Sequence, residues 1–241
     1  MGDPIPRAAI IFPACEEEAS LSAVLAEFRA TLSADEAVLV VGVNGSRDRT
    51  AAVAAGAGAL VAETDKRGYG HGCLAAIALA RTLDPAPWAY AFAAADGATD
   101  PADVVRVLAR LSEGYDLVLG ERVSTPGNAA VIGRGRTRGN RLLGAWVGVL
   151  TGRSFRDLGP VRAIRREWFE RIDPREPHLG WTIEMQVRAV RLGARICEIP
   201  VSERPRTAGV QKVSAGGTVR QVGLGLAIAR AGLSARFDRR S

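Results

Sequence analysis

Apolar residues recur along the chain with two different periods, and the alternation between them predicts the fold class. Residues 8–12 are a short unbroken apolar run ended by Pro13, the pattern of a strand buried on both faces. Within 18–32, Leu21, Val24, Leu25 and Phe28 repeat at helical spacing. A second apolar run, 37–43, is broken by Asn44-Gly45-Ser46, a turn signal. The alternation continues with a helix over 48–55, a strand over 59–62, a glycine-bearing loop over 65–72 and an Ala-rich helix over 74–82. A strand over 89–94, a helix over 101–111 opened by proline and a strand over 116–120 follow. Strands separated by helices of this length predict an α/β fold, a mostly parallel central sheet with helices on both faces. Further on, helices are predicted over 138–150 and 181–192 and a strand over 195–201. In the last segment Val222, Leu226, Ala229, Leu233 and Phe237 share one helical face. Ligands of parallel sheets collect beyond the carboxyl ends of the strands, so the loops after Phe12, Val43, Ala62, Ala94 and Gly120 are the ones to inspect.

Composition narrows the function classes. With 241 residues, 47% hydrophobic and 24% charged, the chain has material for a large core and is not disordered. Cys15, Cys73 and Cys197 form no C-x-x-C pair, which excludes a disulfide framework or zinc knuckle and predicts a reducing, cytoplasmic compartment. A net charge of +6 points to acidic partners: nucleotide phosphates, anionic headgroups or nucleic acid. Aromatics at 5% supply no stacking platform, and the arginines are scattered without a recognition motif, so no nucleic-acid partner is predicted. Lysine occurs only at Lys66 and Lys212; the other basic residues are arginine. No apolar run approaches the ~20 residues of a membrane-crossing helix.

Four loops carry candidate chemistry. Pro13-Ala14-Cys15-Glu16-Glu17-Glu18 places three carboxylates at a helix start, either capping it or facing a ligand. Asn44-Gly45-Ser46-Arg47-Asp48-Arg49-Thr50 reads as a turn and helix N-cap. Arg67-Gly68-Tyr69-Gly70-His71-Gly72 is a glycine-rich loop before a helix, able to bring backbone near phosphate but not a P-loop. In Ala94-Ala95-Asp96-Gly97-Ala98-Thr99-Asp100-Pro101, Asp96 ends a strand and suits Mg2+ or Mn2+ against a diphosphate, while Asp100 reads as the N-cap before Pro101.

Taken in order, these four motifs resemble the N-terminal half of family 2 glycosyltransferases. Gly120-Glu121-Arg122, Arg138-Gly139-Asn140-Arg141-Leu142-Leu143 and Asp157-Leu158-Gly159-Pro160-Val161-Arg162 continue the likeness. Gly180-Trp181-Thr182-Ile183-Glu184 and Arg204-x-Arg206-x-x-Gly209-x-x-Lys212-x-Ser214 extend it over about residues 8–218. The branch it resembles is that of the dolichol/polyprenyl-phosphate mannosyl- and glucosyltransferases. The resemblance implies a GT-A domain over 1–217, a basic, weakly amphipathic C-terminal segment over 218–241, and inverting transfer from a UDP- or GDP-linked sugar to a polyprenyl phosphate or other small acceptor. By the same resemblance Pro13, Ala14, Glu17, Val43, Asn44, Arg67, Ala95 and Asp96 form the nucleotide site, and Asp96 holds Mg2+ or Mn2+. Arg122 stands near the phosphates, and Arg204, Arg206 and Lys212 meet the acceptor's phosphate. Asp157 is the candidate base for a hydroxyl acceptor, with a structural carboxylate as the alternative; Glu184 reads as a partner for an arginine. The segment 218–241 is expected on the inner membrane surface, with an ordinary packed helix as the other possibility.

The family pattern is broken at three places. Ala94 replaces the first acid of D-x-D, Val43-Asn44 replaces an acidic pair, and Ala98 offers no ligand. They keep open a second reading, a catalytically impaired nucleotide-sugar-binding relative acting as a partner or regulator. A nucleotidyltransferase would open with a glycine-rich loop after the first strand, where this chain has Pro13-Ala14-Cys15-Glu16-Glu17.

Overall fold

A computed structural model of the chain describes residues 7–207 and 218–238. In order the elements are β1 (Ala8–Ala14), α1 (Leu21–Thr31), β2 (Ala37–Asn44), α2 (Thr50–Gly56), β3 (Leu60–Thr64), α3 (Tyr69–Ala80), β4 (Ala89–Phe92) and α4 (Pro101–Ser112). Then come β5 (Leu117–Glu121), α5 (Asn128–Ile132), α6 (Arg134–Thr151), β6 (Arg162–Arg165), α7 (Arg166–Ile172), α8 (Trp181–Arg191), β7 (Ile196–Pro200) and α9 (Thr218–Phe237).

The seven strands form one sheet in the order β3-β2-β1-β4-β6-β5-β7. All pairings are parallel except those of β6, which runs antiparallel between β4 and β5. The chain winds outward from β1 through β2 to β3 and then returns to place β4 on the other side of β1. The strand order reverses there, and the crevice at such a switch point is where α/β sheets take ligands.

Side chains alternate across the sheet with the two-residue period of extended chain, which gives two cores. On one face Ile10, Phe12, Val41 and Ala91 pack against Leu25 and Phe28 of α1 and Val104 and Val107 of α4. Phe12 and Phe28 meet edge to face at 4.9 Å. On the other, Ile11, Tyr90, Phe92 and Ile164 pack against Ile77 of α3, Phe169 of α7 and Trp181 of α8. Trp181, fully buried, lies 5.0 Å from the Phe92 ring.

Helix α3 begins at Tyr69, so most of the glycine-rich stretch that the sequence predicts as loop is the helix's first turn. Its glycines serve close packing. A Cβ on Gly70 would overlap the carbonyl oxygen of Glu176, and His71 N donates to Pro177 O at 3.1 Å. The sequence reading has no strand at 162–165, and α6 starts four residues before its expected position. Helix α9 packs along α6 and α8: Trp146 Nε1 donates to Ala229 O at 3.2 Å and Arg191 to Ala235 O at 2.7 Å. No helix among the described residues is long and apolar enough to cross a membrane.

Candidate active site

The loop leaving β1 is tied to the loop leaving β2 by short polar side chains. Ser46 Oγ accepts from Glu16 N at 2.8 Å, and the buried Thr50 Oγ1 accepts from Glu17 N at 2.9 Å. Asp48 in turn accepts from Thr50 N at 3.1 Å. The Ser-x-Asp-x-Thr spacing therefore fixes the main chain at Glu16, whose φ of 54° is a left-handed conformation that a side chain rarely adopts. So held, Glu17 turns its carboxylate inward, where Ser20 Oγ lies 3.1 Å from both Glu17 Oε2 and the carbonyl oxygen of Ala95. That hydroxyl links the ends of β1 and β4.

Beyond β4, Thr99 Oγ1 accepts from Ala94 N at 3.0 Å, and Asp96 Oδ1 accepts from Ala98 N at 3.0 Å. The carboxylate of Asp96 is thereby turned within its own loop, leaving Oδ2 toward the crevice. Asp100 caps α4, accepting from Ala102 N at 2.9 Å.

A strap following β7 closes over this loop. Arg204 N donates to Ala98 O and Thr207 N to Asp96 O, each at 3.0 Å. Arg206 then reaches into the crevice, with one terminal nitrogen 2.8 Å from Asp96 Oδ2 and the other 2.8 Å from Glu17 Oε1. Its Nε is buried and has no acceptor among the described residues. Arg204, two residues away, faces outward to Glu27 and to Asp100, the latter at 2.6 Å.

A second cluster lies at the end of β5. Arg122 and Asp157 form a buried bidentate pair, Nε to Oδ2 at 2.6 Å and a terminal nitrogen to Oδ1 at 3.0 Å. Asp157 also accepts from Arg122 N at 3.1 Å, Leu158 N at 2.8 Å and Asn140 Nδ2 at 2.7 Å. Burial pushes the Asp157 carboxyl up, but the hydrogen bonds and charge of Arg122 outweigh it and hold the group below the usual aspartate range. A carboxylate so engaged and so acidic is a poor proton acceptor, which favours the structural alternative for Asp157. The other terminal nitrogen of Arg122 is 3.2 Å from both oxygens of Glu203, whose backbone N–H is held by Asn128 Oδ1 at 2.9 Å. Burial raises the Glu203 carboxyl; Arg122 opposes the rise, and the charges of Asp157 and Asp96 add to it.

Among the sequence-predicted residues, Glu17, Asp96 and Arg206 come together across the crevice, and Arg122 meets Asp157 beside it. Ala14, Val43 and Ala95 have buried side chains, so what they offer a ligand is backbone. Asn44 is buried, with Oδ1 against the first turn of α3 at Gly72, which also approaches Pro13. Arg67 is drawn to Glu16 and to the Gly45 carbonyl oxygen, the latter at 3.2 Å. Glu184 accepts from Arg175 N at 2.9 Å and Glu176 N at 2.6 Å and pairs with Arg188, a structural role. Lys212 lies outside the described residues. Glu203 and Ser20 escaped sequence reasoning, and Asn140 was marked only as part of a motif, without a role; the signal for Glu203 was an acid at the head of an otherwise basic stretch.

Whether the site suits Mg2+ or Mn2+ can be judged from its donors. A cationic group already sits between Asp96 and Glu17, so the crevice is built to hold positive charge there. Yet no group of three His, Cys, Asp or Glu converges among the described residues, and 208–217 contain none of these types. The chain offers Asp96 as a ligand and leaves the rest of the shell to diphosphate oxygens and water, a fit for a metal that arrives with a nucleotide.

Comparison with known proteins identifies the family and the fold. The family described as Glycosyl transferase family 2 matches residues 9–173. An uncharacterized glycosyltransferase of Mycobacterium tuberculosis is 35% identical over 215 residues, covering 85% of this chain and 88% of that protein. A dolichyl-phosphate hexose transferase of Haloferax volcanii is 30% identical over 207 residues, covering 85% and 86%. Glucosyl-3-phosphoglycerate synthase from Mycobacterium tuberculosis in complex with UDP superposes with a TM-score of 0.71 at 19% identity, over 96% of this chain and 80% of that one. Its complex with Mn2+, UDP-glucose and phosphoglyceric acid gives 0.70 at 20% identity, again over 96% and 80%. With the family pattern spanning more than half its length on this fold, the chain belongs to glycosyl transferase family 2 and is a glycosyltransferase with a GT-A fold.

Proposed function

We propose that the chain transfers a hexosyl group, with inversion, from a UDP- or GDP-linked donor to an acceptor that presents a phosphate, a polyprenyl phosphate foremost. The observation that carries the acceptor class is the state of Asp157. Its oxygens are engaged by Arg122, Leu158 and Asn140 and its carboxyl is held acidic, so Asp157 is no ready base. A phosphate monoester, with a second pKa of about 6, brings its own nucleophilic charge. In the reaction an acceptor phosphate oxygen bonds to the sugar C1 while the bond from C1 to the diphosphate breaks, its electron pair leaving with the nucleoside diphosphate. Arg206 and Arg122 stand where they can stabilise the charge that grows on the leaving group and orient the incoming phosphate. A divalent metal held by Asp96 would supply further neutralisation of the diphosphate.

Exposed apolar residues support a peripheral place on a lipid surface for such an acceptor. Leu142 and Val149 share one face of α6, and Leu226, Leu233 and Phe237 one face of α9. Sedimentation with anionic vesicles tests this: protein that stays in the supernatant removes the membrane part of the reading.

One observation favours a second reading. Glu203 is largely buried with a raised pKa beside Arg122, the environment of a general base for a hydroxyl acceptor. Labelled UDP- and GDP-hexoses, offered polyprenyl phosphate or a hydroxyl acceptor such as 3-phosphoglycerate, separate the two. Lipid-linked product, with Glu203→Gln reducing turnover by less than about fivefold, supports the phosphate acceptor. Product on the hydroxyl, with Glu203→Gln costing roughly a hundredfold or more, favours the second reading. Donor binding without transfer to either indicates the impaired, nucleotide-sugar-binding relative.

A further inference from the structure

Arg206 occupies an unusual position for a residue of the strap. Its guanidinium bridges two carboxylates, Asp96 and Glu17, that belong to different strand ends, 2.8 Å from each. Bridging leaves its Nε–H buried with no acceptor among the described residues, although guanidinium donors in folded proteins are ordinarily satisfied. The strap is fastened beside it through backbone bonds from Arg204 and Thr207 to the 96–98 loop. A Cβ on Gly97 would run into the Thr207 side chain, so this glycine, at φ 85°, lets the strap lie down. Asp96 therefore already has a cation against the one oxygen that faces the crevice.

We propose that Arg206 is an internal cation that keeps the place of the divalent metal at Asp96, and that a nucleotide-borne metal displaces it onto the diphosphate. The inference rests on the reading that a nucleoside-diphosphate sugar binds in this crevice. Without nucleotide, a free metal ion must compete with a guanidinium already held by both carboxylates, and it brings no phosphate oxygens to take that guanidinium over. With nucleotide, both cations would find partners: Asp96 and diphosphate oxygens would hold the metal, and Arg206 would exchange two carboxylates for phosphate oxygens that its planar fork also fits. The buried Nε–H then acquires the acceptor it lacks. Arg206 is thus a positioning residue for the metal.

The test reads the metal directly. Free Mn2+ is titrated by electron paramagnetic resonance against the parent protein, Arg206→Gln, Arg206→Lys and the double variant Arg206→Gln/Asp96→Asn, all without nucleotide. Removing a positive charge in contact with the ligand oxygen is expected to tighten Mn2+ binding at least about tenfold in Arg206→Gln, even after solvent screening. Arg206→Lys, which keeps the charge without the planar fork, should fall between the parent and Arg206→Gln, and the double variant should lose the gain. Mn2+ binding in Arg206→Gln within twofold of the parent, or a gain that survives removal of the Asp96 charge, overturns the proposal. Calorimetry of UDP and GDP with Mn2+ runs alongside. Failure of both nucleotides to bind the parent defeats the donor reading, whereas the Mn2+ comparison still decides whether Arg206 keeps the metal's place at Asp96.

Discussion

Replacing Asp157 by asparagine tests whether the Arg122–Asp157 pair is scaffold or chemistry. The side chains of Arg122 and Asp157 are 9% and 1% exposed, and the carboxylate accepts five hydrogen bonds. Asparagine keeps one acceptor oxygen but turns an NH2 group toward the Nε–H or terminal N–H of Arg122, so at least one pair of donors is opposed. Breaking a buried pair by removing one partner costs roughly 3–5 kcal/mol. Glu203 still faces Arg122 at 3.2 Å and offsets part of this, which puts the expected loss at about 3 kcal/mol. For a chain of this length that lowers the melting temperature by roughly 6–12 °C. The pH dependence gives a second check. Asp157 titrates lower in the fold than in the unfolded chain, so its stabilisation is fully present above the unfolded value and is lost as pH falls through the folded one. Parent and Asp157→Asn should therefore differ by a constant amount at neutral pH and converge only below about pH 4. Urea unfolding followed by circular dichroism at several pH values measures both. A variant within 1 kcal/mol of the parent (~1, the scale of a neutral hydrogen bond) whose turnover falls a thousandfold or so would refute the reasoning and return Asp157 to the role of base.

Two further substitutions probe how the scaffold places Glu17 and α3. Thr50→Val keeps the shape of a fully buried side chain but leaves Glu17 N–H without its acceptor, which should cost about 1–3 kcal/mol in urea unfolding and weaken nucleotide binding by calorimetry. Gly70→Ala sets a methyl against the Glu176 carbonyl oxygen, and the resulting shift should cost about 1–3 kcal/mol by the same assay, with no effect at all counting against the close packing of α3 on the 176–177 backbone.

Much of the sheet was legible because β1, β2 and β4 are largely apolar runs and helices such as α1 and α4 keep a 3.6-residue stripe. β6 was not, and Arg162 shows why. It begins a four-residue strand and is fully buried, its guanidinium held by the Gly159 and Thr182 carbonyl oxygens, the latter at 3.1 Å. An arginine inside the core inverts the pattern on which strand prediction depends. The start of α3 was hidden by Gly68, Gly70 and Gly72, which read locally as loop but are required by the neighbouring 176–177 backbone. At the site, Asp96 and Glu17 could be singled out because each ends a strand in a recurrent motif. The partner they share could not, since Arg206 is 189 residues from Glu17 and no local rule links them. Nor did the spacing of Arg204 and Arg206 reveal that the two face different acids.

The charges around the crevice follow one rule that bears on how an anionic donor enters. Arg122 lies between Asp157 and Glu203, Arg204 between Glu27 and Asp100, and Arg206 between Glu17 and Asp96. In each case one guanidinium serves two carboxylates, a geometry suited to a planar fork with donors on both edges and unsuited to a lysine's point charge. Among the described residues, each of these guanidinium clusters, with its groups ionised, holds two carboxylates to one arginine. A nucleoside diphosphate approaching such a crevice gains only if the arginines change partners or a cation comes with it. Both events meet at Arg206, whose two carboxylates stand on the strand ends where the nucleotide is proposed to bind. The missing acid at Ala94 then has a physical reading, because a further carboxylate would deepen a negative excess that one guanidinium already shares.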